Sequence, residues 1–408
     1  MKVIAWKWFL AIFLSTVAGS SELDAGTPSS VVGGNFARDE LPGHMKPLGA
    51  HRPPEEPIDV LDYVPDPHSF FENYVFPGKP VLFRGAAKRM KAFQTWNDDY
   101  LRDKYGEINV EVEEGKKENR SLSLFDMKFR RFLEIYNSSD VYMVESLHDQ
   151  MKDDFMLLRC LLCGFSNVLL DAVLWFSSGG TKSVLHYDAL DNINCIMDGE
   201  KELIMIDRKE EDHIDIDNPV GSFCGVDVDK VDMVKYPGLQ DVPWYSVKML
   251  PSDCLFIPYK WFHQVNSSGR NLAVNIWFAH LWKFVEDEDC GEEPLPEFKP
   301  LSAFEYGNSN EQFRGEIYDH FFTNKVEKIR KEDLVEYIRA SDHDPTEAQV
   351  AFETLDEDKD GIVTLEELLN YPVNDFAMLF PTISRELAYQ GRTEEDYPED
   401  NSAEHDEL

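Results

Sequence analysis

Residues 183–201 read Ser-Val-Leu-His-Tyr-Asp-Ala-Leu-Asp-Asn-Ile-Asn-Cys-Ile-Met-Asp-Gly-Glu-Lys. In this stretch His186 and Asp188 are two residues apart. Because residues i and i+2 of a strand point to the same face, both side chains can bind one ion. A second histidine, His263, follows in Ile257-Pro-Tyr-Lys-Trp-Phe-His-Gln-Val265. Two imidazoles and one carboxylate are the protein ligands of a facial triad, which leaves open positions on Fe(II) for a cosubstrate and O₂.

The same stretch predicts a hairpin. Ile193–Met197 is an apolar run typical of a strand, and Asp198-Gly199 is a two-residue turn signal. Lys201–Asp207 is then expected to form the returning strand. That hairpin would bring Lys201 back beside the metal end. A lysine ammonium in this place suits the distal carboxylate of a dicarboxylate cosubstrate.

Two downstream segments are predicted strands of the same core. The turn signal Leu250-Pro-Ser-Asp253 precedes the short apolar run Cys254–Ile257. Residues 272–278 alternate, which predicts a strand with two different faces. The apolar face holds Leu272, Val274, Ile276 and Phe278. The other face holds Ala273, Asn275 and Trp277, so an amide and an indole can enter a pocket.

The spacing alone leaves two interpretations of the histidines open. A His-x-Asp pair arises by chance in many chains, and a histidine before Gln-Val is often a surface residue or a satisfied core residue. The metal-site interpretation is favoured by the joint pattern of a ligand pair, a lysine, a distal histidine and the Asn275-x-Trp277 strand.

Taken together, these residues resemble the Jumonji-C (JmjC) branch of the cupin-fold iron and 2-oxoglutarate dioxygenases. The matching segments are Ser183–Asn192, Gly199–Lys201, Pro251–Val265 and Ala273–Phe278, joined upstream by Pro67–Gly85, Trp96–Leu101 and Val226–Pro237. The resemblance covers roughly residues 55–282, and its motifs are specific when they occur together.

The resemblance implies a mainly β fold, a double-stranded β-helix or jelly-roll barrel with flanking helices, at residues 56–285. It implies that Fe(II) is bound by the catalytic residues His186, Asp188 and His263. It also implies that 2-oxoglutarate is bound by Lys201 and Ser183, with Tyr142, Asn192 and Asn275 as further contacts. One departure from the family is Asn194, where many relatives carry an aromatic side chain.

The two ends of the chain predict its compartment. Residues 1–20 combine a basic start, an apolar run and small residues, as in a cleaved signal peptide, with an uncleaved anchor as the alternative. The last four residues, His405-Asp-Glu-Leu408, match a retrieval signal that a receptor of the endoplasmic reticulum reads. Residues 21–55 are expected to be a linker. We therefore expect a protein of the endoplasmic reticulum lumen, with no membrane span after cleavage, that acts on a luminal or secretory protein.

Sequons and cysteines agree with that compartment. Sequons for N-glycosylation occur at Asn119, Asn137 and Asn266. The 6 cysteines form an even set, which is typical of an oxidising compartment. Cys160 and Cys163 are expected on a helix face or in a local disulfide. Cys195 and Cys254 are expected to be buried thiols of core strands.

The net charge of −37 excludes some classes of partner. Binding to nucleic acid or to an anionic membrane requires clustered Lys and Arg, so neither is expected. Most of the carboxylates are expected on a solvated surface. Residues 373–408 are expected to form an acidic tail that presents the retrieval signal.

A second metal site is predicted near the C-terminus. Residues 356–367, Asp-Glu-Asp-Lys-Asp-Gly-Ile-Val-Thr-Leu-Glu-Glu, match the twelve-residue loop of an EF-hand. The expected Ca²⁺ ligands are Asp356, Asp358, Asp360, the carbonyl of Ile362, Thr364 and Glu367. Because EF-hands usually pair, Ile317–Phe322 and Lys331–Ala340 are expected to be the helices of a degenerate first hand. Its loop, Thr323–Arg330, lacks carboxylates at the required spacing.

The motifs divide the chain into two domains. A connector at 286–300 is expected to join the barrel to an EF-hand pair at 301–372, with the second hand at 343–375. The predicted protein is an Fe(II)- and 2-oxoglutarate-dependent protein hydroxylase that binds calcium. The alternative is a non-catalytic, calcium-binding luminal scaffold or chaperone built on a cupin fold, which would lack iron and affinity for 2-oxoglutarate.

Overall fold

The computed structural model describes residues 41–116, 124–217, 222–286, 290, 298–307, 310–323, 328–341 and 343–384. The predicted signal peptide at 1–20, residues 21–40 of the predicted linker, Asn119 and the retrieval signal lie outside these residues. None of the helices in the described ranges is both long and apolar enough to cross a membrane.

The domain that carries the predicted iron site is mainly β, and a smaller helical domain follows it. The strands are β1 (Asp59–Leu61), β2 (Val81–Phe83), β3 (Asn109–Glu114), β4 (Leu124–Lys128), β5 (Val141–Ser146), β6 (Met156–Leu158), β7 (Leu169–Ser177), β8 (Leu185–His186), β9 (Asp191–Ile206), β10 (Phe223–Cys224), β11 (Tyr245–Met249), β12 (Cys254–Ile257), β13 (Phe262–Phe278), β14 (Phe298–Pro300), β15 (Lys328–Arg330) and β16 (Ile362–Thr364). The α-helices are α1 (Pro67–Phe70), α2 (Lys91–Thr95), α3 (Asp98–Tyr105), α4 (Phe129–Ile135), α5 (Asp149–Lys152), α6 (Asn310–Tyr318), α7 (Lys331–Ala340), α8 (Pro345–Leu355), α9 (Leu365–Asn370) and α10 (Val373–Leu379).

Helix starts follow local capping chemistry. The side chains of Asn97 and Asp344 accept hydrogen bonds from the first turns of α3 and α8, and Pro345 occupies the first turn of α8. These caps satisfy amide groups that have no partner within the helix. The caps fix where both helices begin, and in α8 the proline adds to this effect.

The core of the domain is a 12-stranded sheet in the order β1-β2-β12-β9-β13-β7-β5-β3-β4, with β8, β10 and β11 attached beside this path. The long strands β9 and β13 pair antiparallel along their length. On the other side of β9, β12 pairs with Asn192–Cys195 and β11 pairs with Lys201–Met205. A mainly β sheet of this kind fits the jelly-roll expectation.

The predicted hairpin at Asp198-Gly199 is wrong. Both halves of β9 continue along β13, and the register shifts between Ser268 and Leu272, where the strands bulge instead of reversing. Gly199 has φ +75, and a Cβ there would lie 2.6 Å from the Arg270 carbonyl oxygen. The glycine therefore permits a close backbone approach within a continuous strand.

The two faces of β13 differ as the alternation predicts. Leu272, Val274, Ile276 and Phe278 are fully buried in the large hydrophobic cluster beneath the N-terminal helices. Burying an aliphatic side chain of this size contributes about 1.5–3 kcal/mol, so this face anchors the sheet. Asn275 and Trp277 lie on the opposite face, which is the face of the predicted site.

Cysteine pairing differs from the sequence expectations. Cys163 is bonded to Cys290, not to Cys160, and Cys195 is bonded to Cys254. The second pair forms because the two residues lie directly opposite each other on β9 and β12. Cys160 and Cys224 are buried and unbonded.

Three predicted boundaries also move. Within the predicted linker, Leu48 is buried in a cluster with Val231, so at least part of residues 41–55 packs against the β domain. The end of the predicted connector forms β14, which pairs with β6. Residues at the start of the predicted tail form α10, where Phe376 and Leu379 are buried in the core of the helical domain. In each case apolar side chains or unpaired strand edges extend the folded part of the chain.

Peptide mapping of the non-reduced protein tests the cysteine pairing. The expected products are the bridged pairs Cys163–Cys290 and Cys195–Cys254, with Cys160 and Cys224 alkylated only after denaturation because both are buried. Mass spectrometry of the digest before and after reduction provides the measurement. A Cys160–Cys163 bridge would contradict the structure.

Candidate functional site

Strands from different parts of the chain bring the three predicted iron ligands together. His186 ends β8, Asp188 follows it, and His263 is the second residue of β13. His263 lies opposite His186 in the strand register. One ligand atom from each of the three residues lies within 4.8 Å of the others, and His263 Nε2 lies 3.9 Å from Asp188 Oδ2.

Backbone hydrogen bonds orient both imidazoles. His186 Nδ1 lies 2.9 Å from the Val184 carbonyl oxygen, and His263 Nδ1 lies 3.0 Å from that of Trp261. A carbonyl oxygen only accepts, so each Nδ1 carries a proton, which leaves Nε2 as the ring nitrogen that a metal can bind. Both histidines are buried. The donor set is thus prepared for a divalent metal, with the outer hydrogen bonds that metal-binding histidines normally make.

The backbone of Asp188 accepts a hydrogen bond from a neighbouring turn. The Lys260 amide donates to the Asp188 carbonyl oxygen at 2.9 Å. Lys260 belongs to the turn between β12 and β13 and has φ +59, a left-handed conformation that is rare for a residue with a side chain. The turn that precedes His263 thus also contacts the backbone of the carboxylate ligand.

Lys201 lies on the same face of β9 as Leu203 and Met205, and Met205 is opposite His263. It is buried, and loss of hydration lowers the pKa of its ammonium from 10.5 to about 8. No acidic side chain in the described ranges pairs with it. Its Nζ lies 5.8 Å from the centre of the Trp175 ring. A buried cation without a carboxylate partner is suited to bind an anionic ligand.

Tyr142 and Ser183 lie near the same end of the site. The Tyr142 ring packs against Trp175 at 5.9 Å, so Tyr142 and Lys201 share an aromatic neighbour. Ser183 Oγ accepts a hydrogen bond from the Val265 amide at 2.8 Å, which leaves the hydroxyl proton available to a ligand. Sequence reasoning missed Trp175, although it alternates with Val173 and Ser177 on β7.

Three buried asparagines line the sheet between these groups. Asn194 and Asn275 lie opposite each other on β9 and β13, and Asn194 Nδ2 donates to Asn275 Oδ1. Among the residues that the structure describes, the buried Oδ1 atoms of Asn192 and Asn194 have no hydrogen-bond partner. Buried acceptors without partners call for a polar ligand or water. Asn194 therefore contributes an amide to the wall of the site.

The predicted calcium loop lies between α8 and α9. Carboxylate oxygens of Asp356, Asp358 and Glu367 lie within 4.8 Å of one another. The Gly361 amide donates to Asp356 Oδ2 at 3.1 Å, and Gly361 has φ +86. The Thr364 side chain and Glu367 form a capping box that begins α9.

Two further positions of the predicted calcium loop are linked to each other and to β15. Asp360 Oδ1 accepts a hydrogen bond from the Ile362 amide at 2.8 Å, and Ile362 begins β16, which pairs with β15.

The two predicted glycosylation sites in the described residues differ in exposure. Asn137 is exposed in a turn after α4, where a glycan has room. Asn266 is half-buried within β13, and its Nδ2 lies 3.5 Å from Gln264 Oε1, which disfavours modification there.

Comparisons with known proteins agree with the geometry. The cupin-like domain family matches residues 67–284. The chain is 23% identical over 274 residues to the lysine-specific demethylase 8 of Xenopus tropicalis, covering 62% of each chain. It is 24% identical over 264 residues to the human bifunctional peptidase and (3S)-lysyl hydroxylase JMJD7, covering 54% of this chain and 84% of that protein. It is also 29% identical over 110 residues to the human tRNA wybutosine-synthesizing protein 5, covering 27% of this chain and 34% of that protein.

The chain spans only part of the length of these relatives. The matched regions cover 62% of the Xenopus demethylase and 52% of the lysine-specific demethylase JMJ30 of Arabidopsis thaliana. The similarity therefore bears on the β domain and its site, which lie within the matched residues 67–284.

Replacing Lys201 by Met should remove the charge that binds a dicarboxylate. In the unchanged protein the ammonium is lost as the pH rises through about 8. The affinity of the unchanged protein for 2-oxoglutarate should therefore fall about tenfold from roughly pH 7 to pH 9. Lys201→Met should bind weakly at both pH values and show a flat profile.

Isothermal titration calorimetry at a fixed metal concentration measures both effects. Lys248→Met is the matched control, because Lys248 lies on the neighbouring strand β11 but is exposed and paired with Glu200. A Lys201→Met profile that still falls with pH would assign the dependence to another group.

Proposed function

Because this chain belongs to the cupin-like JmjC family, we propose that it is an Fe(II)- and 2-oxoglutarate-dependent dioxygenase that hydroxylates a protein side chain. The observation that carries the proposal is the convergence of His186, Asp188 and His263, with each histidine Nδ1 directed at a backbone carbonyl oxygen. Bound iron, together with 2-oxoglutarate and O₂, would supply the oxidation of a substrate C–H bond to C–OH, with release of succinate and CO₂.

The protein's own residues prepare the site for that reaction. The triad would hold the metal on one side and leave the opposite positions open. Lys201 would bind the distal carboxylate of 2-oxoglutarate through its buried ammonium, with Ser183 and Tyr142 beside it. The amides of Asn192, Asn194 and Asn275 would orient polar atoms of the cosubstrate, and the buried surroundings would limit access of water.

The substrate class is proposed from the relatives. One of them is named as a lysyl hydroxylase and another as a lysine-specific demethylase, so both names refer to lysine side chains. The acidic composition of this chain, with 77 Asp and Glu against 40 Lys and Arg, favours a basic protein segment as the substrate.

We also propose that the protein acts in the endoplasmic reticulum lumen on a luminal or secretory protein, and that a retrieval receptor is a further partner. Two disulfides pair four of the 6 cysteines, and such bonds persist in oxidising compartments. Exposed Asn137 gives a glycan acceptor. The signals predicted at residues 1–20 and 405–408 agree with this compartment, whereas fully reduced cysteines in the native protein would contradict it.

Turnover of 2-oxoglutarate tests the proposed reaction. The anaerobically purified full chain, supplied with Fe(II), 2-oxoglutarate, O₂ and basic luminal peptides, should form succinate and add one oxygen atom to a peptide. His186→Ala should lower the rate by at least about 100-fold, because it removes a metal ligand. Succinate is quantified by NMR and the peptide by mass spectrometry.

His213→Ala is the control, because His213 is exposed and its nearest charged partner is Glu210. Equal succinate formation by the wild-type and His186→Ala proteins would remove the triad from the reaction. No succinate and no affinity for iron in the wild-type protein would leave the scaffold alternative.

We propose that the loop 356–367 binds Ca²⁺, with Asp356, Asp358, Asp360, Ile362, Thr364 and Glu367 as ligands. Support comes from the convergence of three carboxylates and the left-handed Gly361. The β15–β16 ribbon adds to it, since it joins the loop to the segment that directly precedes α7. Sites of the extracellular type bind Ca²⁺ on the order of 10⁻⁴–10⁻³ M, a range that a calcium store can saturate.

Replacing Glu367 by Gln should weaken Ca²⁺ binding by about tenfold or more, because the loop loses the bidentate carboxylate of its last position. Glu366→Gln is the matched control: it changes the adjacent, exposed glutamate of the same helix. Calorimetric titration of both variants with CaCl₂ provides the comparison. Equal affinities would place Ca²⁺ elsewhere.

A further inference from the structure

The helical domain contacts the β domain at the turn between β12 and β13. Asp319 begins the π-helix Asp319–Thr323, which directly follows α6. Its carboxylate accepts a hydrogen bond from the Tyr259 hydroxyl and forms an ion pair with Lys260 Nζ at 2.6 Å. One carboxylate of the helical domain therefore holds two consecutive side chains of the turn.

The backbone amides of the same two residues contact the segment that carries the predicted iron ligand Asp188. The Lys260 amide donates to the carbonyl oxygen of the iron ligand Asp188 at 2.9 Å. The Tyr259 amide donates to Asp191 Oδ1 at 2.7 Å, and Asp191 begins β9. The backbone amides of the turn thus donate hydrogen bonds to Asp188 and Asp191. Its two side chains bind Asp319 of the helical domain.

Packing around Tyr259 makes this contact rigid. Its ring stacks on His280 at 5.1 Å and meets Trp282 edge to face at 5.8 Å. Trp282 stacks on Tyr318, the last residue of α6, at 3.7 Å. Burial and the negative charge of Asp319 raise the pKa of Tyr259 well above 10, so its hydroxyl remains the donor to Asp319.

The backbone of Lys260 needs such support. Its φ of +59 is unfavourable for a residue with a side chain, and such conformations persist where surrounding contacts fix them. Here the fixing contacts are the hydrogen bond from the Lys260 amide to the Asp188 carbonyl oxygen and the ion pair of Lys260 with Asp319. Without Asp319, the turn loses the ion pair of Lys260 and the hydrogen bond of the Tyr259 hydroxyl.

We propose that Asp319 is a positioning residue for the iron site: through the Tyr259–Lys260 turn it fixes the backbone of Asp188 and so the direction of that carboxylate. This inference rests on the proposed function of the triad. It assigns to the helical domain a role in the metal centre of the β domain. Groups that orient a metal ligand through hydrogen bonds typically change metal affinity by 10–100-fold when they are removed.

Co(II) binding to the full chain tests the inference, because the ligand-field spectrum of Co(II) reports the ligand geometry without turnover. Asp319→Asn should weaken Co(II) affinity about tenfold and alter the spectrum. Lys260→Met, which removes the same ion pair from the β domain, should do likewise. The double variant should be little worse than Asp319→Asn, because Asp319→Asn already breaks the ion pair that Lys260→Met removes. Asp319→Glu should restore part of the affinity.

Asp333→Asn is the matched control, since Asp333 forms an ion pair with Arg330 in the same helical domain but away from the turn. It should leave the affinity and the spectrum unchanged. If Asp319→Asn unfolds the helical domain, as followed by circular dichroism, Lys260→Met decides the question. If Asp319→Asn and Lys260→Met both keep the Co(II) affinity and spectrum of the wild-type protein, the inference about Asp319 is wrong, whereas the proposed function is unaffected. Absence of a His186-dependent Co(II) spectrum in the wild-type protein would overturn the proposed function together with it.

Discussion

The antiparallel pairing of β9 with β13 is the constraint on which the rest of this structure depends. The two strands stay paired from Ile206 opposite Phe262 to Asp191 opposite Phe278. Because strand side chains alternate between faces, this register decides which residues enter the site. A slip of one residue would turn His263 and Asn275 toward the hydrophobic core and expose the apolar face to the site.

That register collects polar groups on a face that is removed from water. A buried polar group without a partner costs about 1–3 kcal/mol. The face carries the ammonium of Lys201 and the amide oxygens of Asn192 and Asn194. Aliphatic residues at these positions would stabilise the sheet more. Such groups are typical of a binding site, where a charged and polar ligand offsets their desolvation.

Local pattern was sufficient for some features of the site and insufficient for others. The common face of His186 and Asp188 and the alternating faces of β13 follow from spacing, because strand periodicity is a local property. Spacing alone leaves the role of the histidines open, and His263 enters the predicted ligand set through the family resemblance of the joint pattern. The hairpin prediction was wrong because a turn signal does not reveal that β13 is long enough to pair with both halves of β9. The Cys195–Cys254 bond depends on register between distant strands, and Trp175 becomes part of the site only when β7 lies beside β13. These features are set by long-range pairing, which no local motif encodes.

The junction between the domains is held by polar contacts just beyond the end of α6, where Asp319 reaches the turn before His263. Within the helical domain, buried Arg314 of α6 forms an ion pair with Glu311 and donates to the Tyr371 carbonyl oxygen at 2.9 Å, just beyond α9. These contacts fix α6, and with it Asp319, against the rest of the helical domain.

Behind that turn, Asp191 accepts from the Tyr259 amide and from His280, whose Nδ1 lies 2.8 Å away. Buried ionic groups add little net stability, because their desolvation offsets the attraction, but they accept few alternative geometries. The ion pair and hydrogen bond of Asp319 therefore specify where the helical domain meets the turn that carries the backbone contact to Asp188.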